Sequence, residues 1–337
     1  MDAPHKNQRQ RSMTRRAFAL GGAGLLAAAL VPAARAAGFP DRPLHLIVPF
    51  APGGNVDTTA RVVSAGLTQT LGVSAVVENK PGAGGSIGAD MVVRATPDGY
   101  TLLVASNGPM TVNPFVQLHL PYDPLRDLAP VGMVGYVPHV LVVTPSLPAH
   151  TLAELFALSK TRRINTGTSG VGSATHLTLM RLDAAAGVNL AHVPYRGGGA
   201  LIPDLVGGTL DATMTELSTA LPLHRAGKVR ILAVAAAQRS AIAPEIPTMI
   251  ESGVKDFTAS SYVGLLAPAK TPKDILDRLQ GGLAASLAMP AVAGKLRDAG
   301  MEEATASERT SAGFAEFLRA EYARSKAAAQ LAGIKPE

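Results

Sequence analysis

Short apolar runs, glycine-containing loops and helical stretches alternate along this chain from Leu44 onward, and that rhythm restricts the choice of fold severely. The first unit reads Leu44-His45-Leu46-Ile47-Val48-Pro49-Phe50, then a turn, then a helical stretch over 58–71. The second passes from 73–78 through Asn79-Lys80-Pro81-Gly82-Ala83-Gly84-Gly85 into a helix near 87–94, and a third apolar run over 101–105 ends in Ser106-Asn107-Gly108. Runs too short for helices, punctuated by glycine and followed by period-3.6 stretches, are strand, loop, helix units. Units of that kind build an α/β sheet with mainly parallel pairing.

A second set starts after Pro138, with a strand over 140–144 and a helix opened by Thr151-Leu152-Ala153-Glu154, the spacing of a capping box. It continues through 164–168, the loop Ser169-Gly170-Val171-Gly172-Ser173, a helix, a strand over 190–195 and the loop Arg196-Gly197-Gly198-Gly199. Its last strands are 211–215 and 229–235. After the strand-like 262–267 only helical stretches remain, at 272–287, 291–299 and 312–329, with no sheet of their own. The economical arrangement is two α/β lobes whose chain crosses between them twice, near 138–144 and 258–266, forming a hinge. This places lobe one at 37–139 plus 263–337 and lobe two at 140–262. The 301 residues from position 37 onward also exceed what one core usually organises.

Residues 1–36 read as an export leader: a basic stretch to Arg16, an uncharged stretch over 17–34, and Ala34-Arg35-Ala36 as the cleavage site. The pair Arg15-Arg16 before a mild apolar stretch is the twin-arginine pattern, with general secretion as the other route. The leader holds six basic side chains and one acidic, a net of +5, so the chain's +6 leaves only +1 for the mature protein. Nucleic acid is therefore not an expected partner. With no cysteine there is no disulfide framework and no thiolate chemistry, and no cofactor is expected.

Ligands of open α/β sheets sit beyond the carboxyl ends of the strands, where helix-start amides point outward and the helix dipole favours an anion. The turn Pro49-Phe50-Ala51-Pro52-Gly53-Gly54-Asn55-Val56-Asp57 has that position. Gly53 and Gly54 allow consecutive N–H groups to face outward, and Asn55 or Asp57 is suited to cap the following helix. No Gly-Lys-Ser/Thr closes the turn, so it is not a phosphate-binding P-loop. The glycines at 82, 85 and 88 lack the dinucleotide spacing and read as packing. Ser173 with His176 has the elements of a nucleophile pair, but no Gly-x-Ser-x-Gly elbow is present, and hydrogen bonding to a ligand is the better use of Ser169 and Ser173. Tyr195, Arg196 and Gly197 put an aromatic, a permanent cation and a flexible backbone at a strand end. Arg196 is there either to meet a carboxylate bidentately or as a solvated loop residue. Glu216 follows another strand and can accept from a ligand hydroxyl or amine, or form a surface salt bridge. His192 reads as structural, and no histidine spacing suggests a metal.

Several longer motifs resemble one family, the solute receptors of tripartite tricarboxylate transporters, also called Bug proteins. They are Phe39-Pro40-Asp41-Arg42-Pro43, Ile47 through Gly54 with Ala60-Arg61, Val77 through Gly85, Pro97-Asp98-Gly99-Tyr100-Thr101-Leu102-Leu103, Leu120-Pro121-Tyr122-Asp123-Pro124, His192 through Gly197, and Gly264-Leu265-Leu266-Ala267-Pro268. The resemblance spans the mature chain. It implies a fold like the type II periplasmic binding proteins, two α/β lobes closing on one ligand, and a grip through Phe50, Ala51, Gly53 and Gly54. Ser106 and Asn107 would stand at the next strand end, with Ser169, Ser173, Tyr195 and Arg196 on the facing lobe. The implied function is periplasmic capture of a small organic carboxylate, a dicarboxylate or an amino acid among them, for membrane transporter subunits. A membrane sensor partner, or a periplasmic hydrolase, is the alternative, and a monomer is expected. Where the family commonly carries Asp-Asn, this chain has Thr215-Glu216, which points to an amino, hydroxyl or neutral ring group away from the gripped carboxylate.

Overall fold

A computed structural model describes residues 1–2, 38–331 and 336. The expected leader lies, but for its first two residues, outside the described residues. The chain parts into two units, Met1–Phe39 and Pro40–Glu337, and every element that follows belongs to the second. In chain order these are β1 (Leu44–Val48), α1 (Asn55–Leu71), β2 (Ala75–Asn79), α2 (Ser86–Val93), β3 (Thr101–Ala105), α3 (Asn113–Val116) and the long β4 (Leu128–Val143). There follow α4 (Leu152–Ser159), β5 (Asn165–Thr168), α5 (Ala174–Ala186), β6 (Ala191–Pro194), α6 (Ile202–Gly207), β7 (Ala212–Glu216), α7 (Leu217–Arg225) and β8 (Arg230–Val234). The chain ends with β9 (Ser260–Pro268), α8 (Lys273–Leu287), α9 (Pro290–Asp298), β10 (Glu302–Glu303) and α10 (Ser311–Leu331).

The strands run in the order β2-β1-β3-β9-β4-β7-β5-β6, with β8 and β10 also pairing β4. The strand, loop, helix units pair in parallel as their connections require: β1 with β2 and β3, and β5 with β6 and β7. Every pairing that involves β4 or β9 is antiparallel, so the sheet is mixed rather than mainly parallel. The cause is topological. β4 carries the chain outward, β9 brings it back alongside, and a strand returning next to the one that left must run the other way.

β4 is shared by both halves. Its first part pairs β9 up to Pro138 opposite Ser260, and from His139 onward it pairs β7, with His139 opposite Glu216. Buried side chains form separate clusters on either side of that crossover. One gathers Ile47, Leu103, Met133, Tyr262, Leu266 and Phe314, and the other Leu141, Leu155, Leu179, Met214 and Leu232. The C-terminal helices return to the first: the Thr70 hydroxyl of α1 donates to the Gly282 carbonyl of α8 at 2.9 Å, and Phe314 of α10 is fully buried. Thr151 and Glu154 form the capping box at the start of α4.

Candidate functional site

Between β1 and α1 the chain turns through Gly53, whose φ of +84° lies in the left-handed region that favours glycine. Gly54 is the N-cap of α1 and no side chain caps the helix, so neither Asn55 nor Asp57 takes the capping role expected of them. Asp57 instead reaches back from the first turn. Its buried carboxylate accepts from the Gly53 N–H at 2.9 Å, from Arg61 Nε and Nη2 at 3.0 and 2.9 Å, and from Asn79 Nδ2 at 3.0 Å. Burial alone would push this carboxyl up, but the bonds from Arg61, Gly53 and Asn79 outweigh it and hold the pKa below the ordinary value. Asn79 Nδ2 also donates to the Phe50 carbonyl at 3.0 Å. Asp57 therefore sets the shape of the turn, leaving the first N–H groups of α1 aimed out of the helix without intrahelical partners. Asn55 is 3 % exposed; its Oδ1 accepts from Ser218 at 3.2 Å, and its Nδ2 has no partner.

The loop that follows β6 sits directly on this turn. Ala51 N–H donates to the Arg196 carbonyl at 3.0 Å. A Cβ on Gly197 would lie 2.8 Å from Ala51 N, and one on Gly199 only 2.0 Å from the Pro52 carbonyl oxygen. Backbone can approach backbone this closely only where side chains are absent. Phe50, Ala51, Gly53 and Gly54 are thus brought together with Arg196 and Gly197 in a closed arrangement. Val112 and Val116 meet Leu177 of α5 in a small apolar cluster of their own.

The remaining predicted residues divide. Ser169 stands at the end of β5 beside Gly198, and Glu216 at the end of β7, so both face the same gap. Ser106 is buried at the end of β3. Next to it, the Asn107 side chain is used on β9, accepting from Tyr262 N–H at 3.1 Å. Ser173 is the N-cap of α5, its hydroxyl accepting from His176 N–H at 3.1 Å. The His176 imidazole turns away from that hydroxyl, accepts from Gly172 N–H at 3.3 Å, and stacks on His192 with ring centroids 4.0 Å apart. No nucleophile pair is assembled. His192 bonds Thr168 at 2.7 Å, the satisfied structural role expected of it. The Tyr195 phenol donates to Asp204 at 2.6 Å, and burial together with that carboxylate raises its pKa to about 12. Arg196 is exposed, its guanidinium without a hydrogen bond or ion pair among the described residues. No group of described His, Cys, Asp or Glu side chains is placed to hold a metal.

A cavity of about 260 Å³ opens between Phe50 and residues 82–85 on one wall and Ser169, Tyr195 and Arg196 on the other. Residues 82–85 read from sequence as packing, yet they line this cavity. All four have positive φ, including Ala83 at +46°, and Asn113 holds the Gly84 carbonyl from behind at 3.1 Å. Ala83 stands out among them once the backbone is known, because a non-glycine residue at positive φ is strained and such strain collects at functional sites. A larger cavity of about 1150 Å³ follows β4, β9, α5 and α10, touching His139 and Tyr262. The turn at Phe50 and the loops after β5 and β6 line the smaller cavity and not this one, so the smaller cavity is the better site.

Glu216 is 7 % exposed and bonded only through hydroxyls and backbone. Ser261 Oγ lies 3.1 Å from its Oε1 and 2.8 Å from His139 Nε2, and His139 Nδ1 lies 2.8 Å from Thr178 Oγ1. Where Glu216 is ionised it can only accept, and the chain then runs in one direction. Ser261 donates to Glu216, His139 Nε2–H donates to Ser261, and Thr178 donates to His139 Nδ1. Burial lowers the His139 pKa to about 3, with a smaller effect from the Arg181 charge, so the imidazole is neutral as this chain requires. Burial likewise raises the Glu216 pKa, opposed by the Ser261 and Thr215 bonds.

Residues 59–334 match the model of the tripartite tricarboxylate transporter family receptor. Protein BugT of Bordetella pertussis is 39 % identical over 259 residues, covering 75 % of this chain and 79 % of BugT. The fold superposes on the structure of Rpa4515 from R. palustris with adipate at a TM-score of 0.85, with 34 % identity over 89 % of this chain and all of that one. It also superposes on MatC from Rhodopseudomonas palustris with bound malate, at a TM-score of 0.82 and 31 % identity, over 86 % of this chain and 99 % of that one.

Proposed function

Because this chain belongs to the tripartite tricarboxylate transporter receptor family, whose solved members are periplasmic binding proteins rather than enzymes, we propose that it captures a small organic carboxylate between its lobes. It then delivers that ligand to membrane transporter subunits. The observation that carries this is the meeting of two loops: the start of α1, with its outward amides and the unpartnered Asn55 Nδ2, faces Ser169 and Glu216 across Gly198. An anion at a helix start is favoured by the dipole as well as by the N–H groups, and relatives hold adipate and malate.

In this reading Phe50, Ala51, Gly53, Gly54 and Asn55 form the carboxylate wall, and Asp57 shapes it from behind. Ser169, Tyr195, Arg196, Gly197 and Glu216 read the remainder of the ligand, while Ser106, Asn107 and Ser173 support the walls. The lobes are 37–139 with 263–337, and 140–262. The leader exports the chain to the periplasm, where it works as a monomer, and among the described residues no helix is long and apolar enough to cross a membrane.

A thermal-shift screen of carboxylic acids tests this. A ligand at a hundredfold excess over its dissociation constant stabilises the folded state by about 2.7 kcal/mol, a rise of several degrees. If no acid raises the melting temperature, the receptor reading fails.

A further inference from the structure

The larger cavity, of about 1150 Å³, shares no lining residue with the smaller one. Both crossings between the lobes reach it, Pro138-His139 on β4 and Ala259-Ser260 where β9 begins. From lobe two come α5 and residues 235–242, and from lobe one α9 and α10. Leu177, Ile242, Met301 and Phe317 make much of this lining apolar. Pockets for organic ligands usually run to about 300–1,000 Å³, so the groove has room for an apolar body far larger than a short acid.

The charged side chains of this lining are Arg181, Arg239, Arg297 and Arg324 against Glu302 and Glu321, an excess of cation. Two of the arginines are answered: Arg324 pairs with Glu321 at 2.8 Å and Arg239 with Glu251 at 2.9 Å. Arg181 is not. Its Nη2 donates to the Thr258 carbonyl at 3.1 Å and its guanidinium lies 5.1 Å from the centre of the Phe257 ring, but among the described residues no carboxylate is paired with it. Arg297 also has no bond or ion pair among the described residues, yet it is exposed where Arg181 is half-buried. Burial lowers the Arg181 pKa, and the charge of Glu321 only partly opposes it. A guanidinium drawn out of water without a counter-ion is costly, and an arriving anion relieves that cost.

Arginine offers five N–H donors in a plane, and the Thr258 carbonyl takes one of them. A carboxylate is the group such a fork matches, with two parallel bonds at once. Arg181 follows Leu177 by one turn of α5, so the cation and the apolar surface lie on the same face of that helix. The other polar groups nearby are engaged: Thr178 bonds His139 at 2.8 Å, and His139, held neutral by burial, adds no charge. The groove therefore asks for one molecule with two unlike ends.

We propose that this groove is a second ligand site, separate from the cavity at the β1 to α1 turn, and that it takes a carboxylate carrying an apolar body. The carboxylate sits on Arg181 and the body on the apolar lining beside Leu177. None of these residues lines the smaller cavity, so this site stands whether or not the receptor reading does.

Octanoate and 1-octanol probe the groove by calorimetric titration of the mature protein, since they share an apolar body and only the first has the carboxylate. With the best acid of the thermal-shift screen present at saturation, so that the smaller cavity is filled, octanoate should still bind one to one and about tenfold or more tighter than octanol. In Arg181→Gln octanoate should weaken about tenfold or more, while octanol changes by less than about twofold. Displacement of octanoate by the short acid, octanol bound as tightly as octanoate, or undiminished octanoate affinity in Arg181→Gln each overturns the site. So does a complete lack of octanoate binding, the result expected if another protein chain covers the groove. If Arg181→Gln does not fold, the comparison of octanoate with octanol on the wild type decides. If no short acid binds, the receptor reading is lost, and the octanoate measurements decide the groove on their own.

Discussion

Gly199→Ala asks whether the contact between the two loops is the state that holds the ligand. The added Cβ would lie 2.0 Å from the Pro52 carbonyl oxygen and 2.9 Å from Gly54 N, where ordinary contact begins at 3.4 Å. Both atoms are backbone of the facing lobe, and the Gly199 φ is not left-handed, so the methyl costs its own lobe little. To clear it the loops must part by roughly 1 Å, which breaks the 3.0 Å bond from Ala51 N–H to the Arg196 carbonyl. Losing that bond costs about 1 kcal/mol and the residual overpacking about 1–3 kcal/mol, so the closed state is disfavoured by roughly 2–4 kcal/mol. The open state does not feel the methyl. Apparent affinity for the best acid in the screen should therefore fall roughly thirty- to a thousandfold. The unliganded protein should still melt within about 2 °C of wild type. Calorimetry measures the first quantity and a melting curve the second. Unchanged affinity would mean that the ligand is held with the lobes further apart, and the closed contact would lose its functional meaning.

Asp57→Asn removes the charge that gathers Arg61, Asn79 and the Gly53 N–H. It should cost about 1–3 kcal/mol in chemical denaturation and weaken carboxylate binding, and a variant as stable as wild type would refute the role given to Asp57. Acid should destabilise the fold above the carboxylate range. Burial holds His139 at about 3 and His176 and His192 at about 4, against an ordinary 6.5. The unfolded chain thus takes up protons first as pH falls below 6.5, and the stability these groups contribute is present above that value and lost toward 4, by up to about 1.4 kcal/mol per pH unit for each group. Asp183, raised by burial to about 7, acts in the opposite sense over the same window and offsets one of the three. Denaturation at pH 5 should show lower stability than at pH 7, with a shallower dependence in His139→Gln. Equal stability at the two values would contradict the buried neutral histidines.

Local features were legible in the sequence because local chemistry makes them. The β1 to α1 turn, the Thr151 capping box and the helices of the C-terminal third all follow from glycine position, cap residues and periodicity. The long β4 was legible only over 140–144, since Pro130, Gly132, Gly135 and Pro138 are residue types that disfavour a regular strand. In the structure the pairing with β9 shifts register at Pro130/Gly132 and Met133/Gly135 and runs on. Bulges absorb what the residue types forbid in a regular ladder. Equally hidden were Asp57 with Asn79 and His139 with Ser261 and Glu216. Those groups meet across 22, 122 and 45 residues of chain, and no periodicity links positions brought together only by the finished sheet.

The position of β9 between β3 and β4 also governs the order in which the molecule can be assembled as it is made. Lobe two needs only β4 through β8 and the segment up to β9, all of it upstream of Ser260. Lobe one, although it begins the chain, has a missing central strand until Ser260–Pro268 has been synthesised, and until then β3 and β4 are open edges. The half that starts first must finish last. A chain cut short before β9 would lack α8 and α10 as well, leaving two open strand edges beside an uncovered apolar cluster, so truncation there should yield a protein that associates rather than one that merely fails to bind.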